Sequence, residues 1–149
     1  MKTLTIEETA FPSLAAPSGK SSSRKLWTGR ILAGLPLLFM AWDATVKLLA
    51  IPMVVEASAK LGFARATLPV IGTIELAAII LVLFRRTRVF GAVILSAYLG
   101  GAVATHVQHG DPLFTHTLFP IFFASLIWGG LCLLDPRVRE LSPLAHQAR

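Results

Sequence analysis

The sequence is short of the residues that most soluble enzymes use. It holds one cysteine, Cys132, among 149 residues, which excludes an internal disulfide framework and paired-thiol electron transfer within one chain. Charged residues make up only 15% of the chain, whereas soluble domains carry about 25%. With 54% hydrophobic residues and a mean hydropathy of +0.69, the composition predicts an integral membrane protein.

Basic residues nevertheless outnumber the acids, and the formal net charge is +6. A basic protein can bind nucleic acid, but that function needs a basic groove or a platform of stacking aromatics, and the sequence shows neither. The bases instead gather at the ends of the apolar runs, where they set the orientation of a membrane protein. We therefore expect membrane lipid, and no nucleic acid, as a partner of this chain.

Four apolar runs occupy most of the chain, and each has about the 20 residues that a membrane-spanning helix requires. They predict an all-α fold, a bundle of four transmembrane helices, in a membrane domain of residues 27–141. A disordered tail of residues 1–26 is expected before it, and a short tail of residues 142–149 after it. The predicted spans are residues 31–51, 68–84, 89–106 and 118–134.

The orientation follows from the distribution of bases. Eleven of the 14 Lys and Arg residues lie in the N-terminal segment through Arg30, in the loop of residues 85–88 and in the C-terminal tail. Since cytoplasmic loops carry the excess of bases, both termini are predicted to be cytoplasmic. The loops of residues 52–66 and 107–117 then face outward.

Three residues of the Asp, Glu, Lys and Arg types lie inside the predicted spans. Asp43 and Lys47 are four residues apart in the first span, so they share a helix face one turn apart. Glu75 lies in the second span. A rise of about 1.5 Å per residue places all three in the outer half of the bundle. Two interpretations stay open: an ion pair that locks the bundle, or a site that holds a ligand or a proton.

Further polar side chains mark the outer end of the third span. At about 100° per residue, Tyr98, Thr105 and His109 share one helix face, whereas His106 points about 80° away from Tyr98. All four are candidates for ligand binding or proton handling. A metal site from His106, His109 and His116 is not expected, because these residues share no face and repeat no ligand spacing. No catalytic residue is predicted, because no nucleophile with a base and an orienting partner can be assembled.

Small residues recur every four positions in the third span. In lipid, this spacing lets helix backbones approach closely. The pattern predicts that the third helix is the packing hub of the bundle, with a homodimer contact as the alternative. One ridge is Ala92, Ser96, Gly100 and Ala104, and the other is Ala97, Gly101 and Thr105.

The order and spacing of short motifs along residues 27–141 resemble the DoxX-like family of small bacterial membrane proteins. The motifs are Arg30-x3-Gly34, Asp43-x3-Lys47-Leu48, Ile71-Gly72-x2-Glu75-Leu76, Arg86-Thr87 with Gly91-Ala92, Tyr98-Leu99-Gly100-Gly101-Ala102-x-Ala104-x-His106, Trp128-x-Gly130-Leu131 and Asp135-x-Arg137-x-Arg139.

This resemblance implies a fold of four transmembrane helices in the inner membrane of a bacterium. The family takes its name from a subunit of a membrane thiosulfate:quinone oxidoreductase. The resemblance therefore implies a shared polar centre of Asp43, Lys47, Glu75 and His106 near a quinone head group. Quinone is then the candidate cofactor. Relatives often carry proline where this chain has Arg85, a difference confined to a cytoplasmic turn.

Three functions follow as expectations. The first is an accessory or ligand-binding subunit linked to quinone redox or stress metabolism, not catalytic alone, that works with a partner subunit or as a homo-oligomer. Under this first expectation, the chain can be a subunit of a membrane quinone oxidoreductase. The second is a small-molecule or proton-coupled transporter. The third is a structural or assembly factor whose buried charges only specify packing.

Overall fold

Helices make up all the regular structure in the computed structural model, which describes residues 23–141. The predicted tails at residues 1–22 and 142–149 lie outside the described residues. Residues 23–26, which the sequence assigned to the N-terminal tail, already belong to the first helix. The elements are α1 (Ser23–Leu48), α2 (Pro52–Lys60), a 3-10 turn (Arg65–Thr67), α3 (Leu68–Leu83), α4 (Arg88–His109), a π-helical turn (Leu113–Thr117), α5 (Phe119–Leu134) and α6 (Pro136–Glu140).

The predicted all-α bundle of four membrane-length helices is confirmed. The long helices are apolar enough to cross a membrane: Ser23–Leu48, Arg65–Leu83, Arg88–His109 and Leu113–Leu134. Their outward faces carry large exposed apolar side chains such as Leu38, Leu83 and Phe90. Such surfaces suit lipid, because hydrocarbon offers no penalty to an exposed apolar side chain.

Proline and glycine set most of the helix limits. Proline occupies the first turn of α2, α3, α5 and α6, where its missing N–H removes no helical hydrogen bond. α4 ends at Gly110, whose positive φ of 68° closes the helix. The Gly110 N–H donates to Val107 O, and the Asp111 N–H donates to His106 O. This pairing is the Schellman arrangement, which turns the chain sharply after a helix.

Contacts between neighbouring helices place α1, α3, α4 and α5 in that order around the bundle. α1 packs most closely on both of its neighbours through glycines. A Cβ atom on Gly72 of α3 would lie 2.8 Å from Ala44 O, and one on Gly130 of α5 would lie 2.6 Å from Ala33 N. Neither position can hold a larger residue unless the helices separate.

The prediction of a packing hub at Gly100 and Gly101 of α4 is wrong. Both glycines are exposed, and a Cβ atom on either would meet nothing within 4 Å. α4 does pack closely at its other end, where a Cβ on Gly91 would lie 2.6 Å from Val82 N. The close helix contacts of the bundle therefore centre on α1.

A second buried charge pair closes the end of the bundle that carries α6. Asp135 is only 2% exposed, and its carboxylate accepts from Arg88 Nη1 at 3.0 Å. The same side chain caps α6 by accepting from the Arg137 N–H. Arg88 also donates from Nε to Val82 O. The pair fastens the α3–α4 turn to the end of α5.

Candidate ligand site

Lys47 is the centre of a polar cluster that joins three of the four long helices. Its ammonium group donates to the carboxylate of Asp43 on its own helix, to Glu75 Oε2 on α3 at 2.9 Å and to the Tyr98 hydroxyl on α4 at 2.7 Å. We call Asp43, Lys47, Glu75 and Tyr98 the polar cluster. Its ionic and hydrogen bonds cross the bundle interior from α1 to α4, which lie diagonally opposite.

Glu75 is the most buried member of the polar cluster, with none of its surface exposed. Its Oε2 atom accepts from Lys47 and also from the Tyr98 hydroxyl at 2.6 Å. Its other oxygen, Oε1, is buried and has no hydrogen-bond partner among residues 23–141. A buried polar atom left unpaired costs about 1 to 3 kcal/mol. An unpaired carboxylate oxygen at this depth is therefore a place where an external group gains by binding.

Local sequence explains why these side chains meet. The spacing of four residues brings Asp43 and Lys47 together on α1. Gly72 lies one turn before Glu75 on α3, and a Cβ atom there would come within 3.1 Å of Lys47 Cβ. The missing side chain of Gly72 thus lets α3 approach α1 beside Lys47, which brings Glu75 within hydrogen-bond distance. Tyr98 reaches the same point from α4 because its side chain is long enough to cross the interior.

The polar cluster lines a cavity of about 650 Å³. This volume falls within the roughly 300 to 1,000 Å³ of small-molecule sites. The walls are mainly apolar and come from all four long helices, with Phe39, Ile71, Ile94 and Phe123 among them. The segment between α1 and α3 also contributes, through Ser58, Leu61 and Phe63. A mainly apolar cavity with a few convergent polar groups suits an amphipathic small molecule.

A histidine group lies beside the end of α4. His106 lines the cavity, and its Nδ1 atom is 2.7 Å from Asp111 Oδ2. The His106 and His116 rings are stacked edge to face, with centroids 5.6 Å apart. The hydrogen bond from His106 holds the pKa of the Asp111 carboxyl below its usual value. Sequence reasoning missed Asp111, although the helix stop at Gly110 is the signal that turns it back towards His106.

The structure brings six of the seven predicted site residues to the same cavity. They are Asp43, Lys47, Glu75, Tyr98, Thr105 and His106. His109 is exposed and does not line it; its Nδ1 atom lies 3.1 Å from Thr105 O. Within residues 23–141, no group of three metal-ligating side chains comes together. The cavity lining from Ser58 to Phe63 was also missed, because no periodicity links that segment to the spans.

Fold and site together define a multi-pass membrane protein with a polar cluster inside a bundle of four helices. The sequence model of the DoxX-like family matches residues 31–130. The chain belongs to this family, and the resemblance seen in the motifs is confirmed. No curated protein and no solved structure matches the chain.

Proposed function

We propose that this protein binds an amphipathic small molecule of the quinone type, with its ring in the cavity and its polar end at the polar cluster. The observation that carries the proposal is the cavity of about 650 Å³, whose apolar walls converge on the buried Glu75 and Lys47. Rings with short polar substituents match that lining, since apolar walls bury the ring and a few polar groups fix its orientation.

In this proposal the protein is an accessory subunit and not an autonomous enzyme. It is a bacterial inner-membrane protein with both termini in the cytoplasm, and the cavity then lies in the outer half of the membrane. The eleven bases at the termini and at the α3–α4 turn support that orientation. A partner subunit, or a second copy of the chain, supplies the redox chemistry or the assembly in which the bound molecule is used.

A purely structural role is the second candidate, and a specific observation favours it. Lys47 holds three helices together through bonds that are complete without any ligand. A buried charge network of this kind can specify how helices pack even where it adds little stability. The unpaired Oε1 atom of Glu75 and the volume of the cavity are the features that this second function leaves unexplained.

The binding experiment uses the full chain in lipid nanodiscs and a short-chain ubiquinone analogue in its oxidised and reduced forms. Binding of either form should raise the unfolding temperature in a concentration-dependent way, because a ligand at 100 times its Kd adds about 2.7 kcal/mol. If neither form changes the unfolding temperature, the proposed ligand class is wrong.

A matched pair of variants on α4 locates the binding site. Ala102 lines the cavity, whereas Ala104 is exposed and does not. Ala102→Phe should fill the cavity and abolish the stabilisation by ligand. Ala104→Phe adds the same bulk two residues away and should leave the stabilisation unchanged. Equal effects of the two variants would place the ligand outside the cavity.

A further inference from the structure

The donors of the polar cluster are all engaged within the protein. An ammonium group has three N–H donors, and those of Lys47 meet Asp43, Glu75 and Tyr98. The single O–H donor of Tyr98 is directed to Glu75 Oε2 at 2.6 Å. Thr105 also lines the cavity, and its hydroxyl donates to Gly101 O at 3.0 Å. Within residues 23–141, the polar cluster and Thr105 therefore offer no free side-chain donor to the cavity.

Acceptors remain at the same place. Glu75 Oε1 is buried and accepts no hydrogen bond from the part of the chain that the structure describes. Of the two Asp43 oxygens, only Oδ2 forms a hydrogen bond within the described residues. A carboxylate oxygen that is not protonated can only accept. The other polar groups of the lining are Ser58 and His106, and His106 is eight residues, or roughly 12 Å, beyond Tyr98 along α4.

From this inventory we infer that the site selects a ligand whose polar end donates a hydrogen bond: the hydroxyl of a reduced quinol, and not the carbonyl of the oxidised quinone. The inference rests on the proposed function and adds the form of the ligand. A quinol hydroxyl can donate to Glu75 Oε1, the one buried side-chain oxygen left unpaired in the described residues 23–141. A quinone carbonyl has only lone pairs, and it would face an oxygen that also has only lone pairs.

A neutral donor fits the cluster better than a cationic one. The Lys47 ammonium already lies 2.9 Å from Glu75 and contacts Asp43, so it occupies the position between the two carboxylates. A second ammonium at Glu75 Oε1 would approach Lys47 and be repelled in a poorly hydrated interior. A hydroxyl supplies the donor without the charge.

The test compares three probes that share one ring and one alkyl tail: the quinol, the quinone and the quinol dimethyl ether. The ether has the shape of the quinol but no donor and no redox chemistry. Binding is measured on the full chain in nanodiscs, without oxygen for the quinol. A hydrogen bond to a charged group corresponds to about a ten-fold gain in affinity or more. The quinol should therefore bind at least about ten-fold more tightly than either the quinone or the ether.

Glu75→Gln sharpens the comparison, because it places an amide that can donate where Oε1 can only accept. In this variant the preference for quinol should fall or reverse in favour of the quinone. Glu56→Gln on α2 is the matched control, since Glu56 is exposed and does not line the cavity. It should leave the three affinities unchanged.

The outcomes separate the inference from the proposed function. Equal or tighter binding of the quinone or the ether to the unmodified chain overturns the donor inference and leaves the proposed function in place. Tighter binding of an alkylammonium with the same tail also overturns it. Failure of every probe refutes both. The comparison on the unmodified chain decides the matter even where Glu75→Gln does not fold.

Discussion

Removal of Lys47 should be the most damaging single change in the polar cluster. Lys47→Met leaves Glu75, which has no exposed surface, and Asp43 without a positive partner. Stranding the charge of a buried pair costs about 3 to 5 kcal/mol. We therefore expect Lys47→Met to lower the free energy of unfolding by about that amount.

Loss of Asp43 should matter far less, although it belongs to the same cluster. Its side chain is 33% exposed, and Lys47 keeps Glu75 as a partner when Asp43 is changed. An exposed pair four residues apart on a helix is worth about 0.3 to 0.5 kcal/mol. Asp43→Asn should therefore cost about 1 kcal/mol or less.

An apolar replacement of the whole cluster completes the set. Asp43→Leu, Lys47→Met, Glu75→Leu and Tyr98→Phe together leave no stranded charge, and apolar substitutes for buried ion pairs are often neutral or stabilising. This variant should recover most of the stability that Lys47→Met loses. It should also fail to bind the quinol probe, which separates the role of the cluster in folding from its role in binding.

The assay is reversible unfolding in mixed micelles, with SDS as the denaturant and helical circular dichroism as the readout. If Lys47→Met lowers the free energy of unfolding no more than Asp43→Asn does, Lys47 is not the essential positive partner of the cluster. The same conclusion follows if the apolar variant is no more stable than Lys47→Met alone. A fully stable apolar variant that still binds the quinol would remove the polar cluster from the binding site.

Three further predictions concern packing, pH and topology. Gly72→Leu should prevent assembly of the bundle, because the leucine side chain would meet the α1 backbone. Gly100→Leu should be tolerated when both variants are compared for stability in detergent. Equal losses of stability would contradict the packing described. Because the pKa of Asp111 is lowered in the folded protein, its contribution to stability should be complete above about pH 5 and should fade as the pH drops below about 4. The unfolding temperatures of the unmodified chain and of Asp111→Asn, measured across pH 3 to 7, should converge at the acid end. Divergence there would mean that the pKa of Asp111 is shifted in the opposite direction. Reporter fusions after residues 20 and 145 should both read cytoplasmic and one after residue 110 external; an external C-terminus would overturn the orientation.

The sequence predicts the spans and part of the site for clear physical reasons. Runs of apolar residues of bilayer length cannot be satisfied in water, so their number gives the number of helices. Asp43 and Lys47 were predictable as neighbours because the helix repeat alone brings them together.

What the sequence leaves open is the order of the helices around the bundle. Spacing along one helix does not show which neighbouring helix a small residue faces. The sequence alone therefore does not distinguish Gly72 from Gly100. Only the packed structure shows that a Cβ on Gly72 would meet α1, whereas one on Gly100 would meet nothing within 4 Å among the described residues. The pairing of Arg88 with Asp135 was missed for the same reason, since it joins residues 47 positions apart.

One wall of the cavity takes no part in the bonds of the polar cluster. The bonds of the cluster tie α1, α3 and α4 together and include no residue of α5. α5 is fixed by Asp135 at the far end and by the bond from Trp128 to Ser96 along its length. Beside the cavity, α5 contributes Phe119, Pro120 and Phe123, and the Phe119 and Phe123 rings pack against Phe39 of α1. An outward displacement of that end of α5 would separate these apolar contacts and would break no bond of the polar cluster.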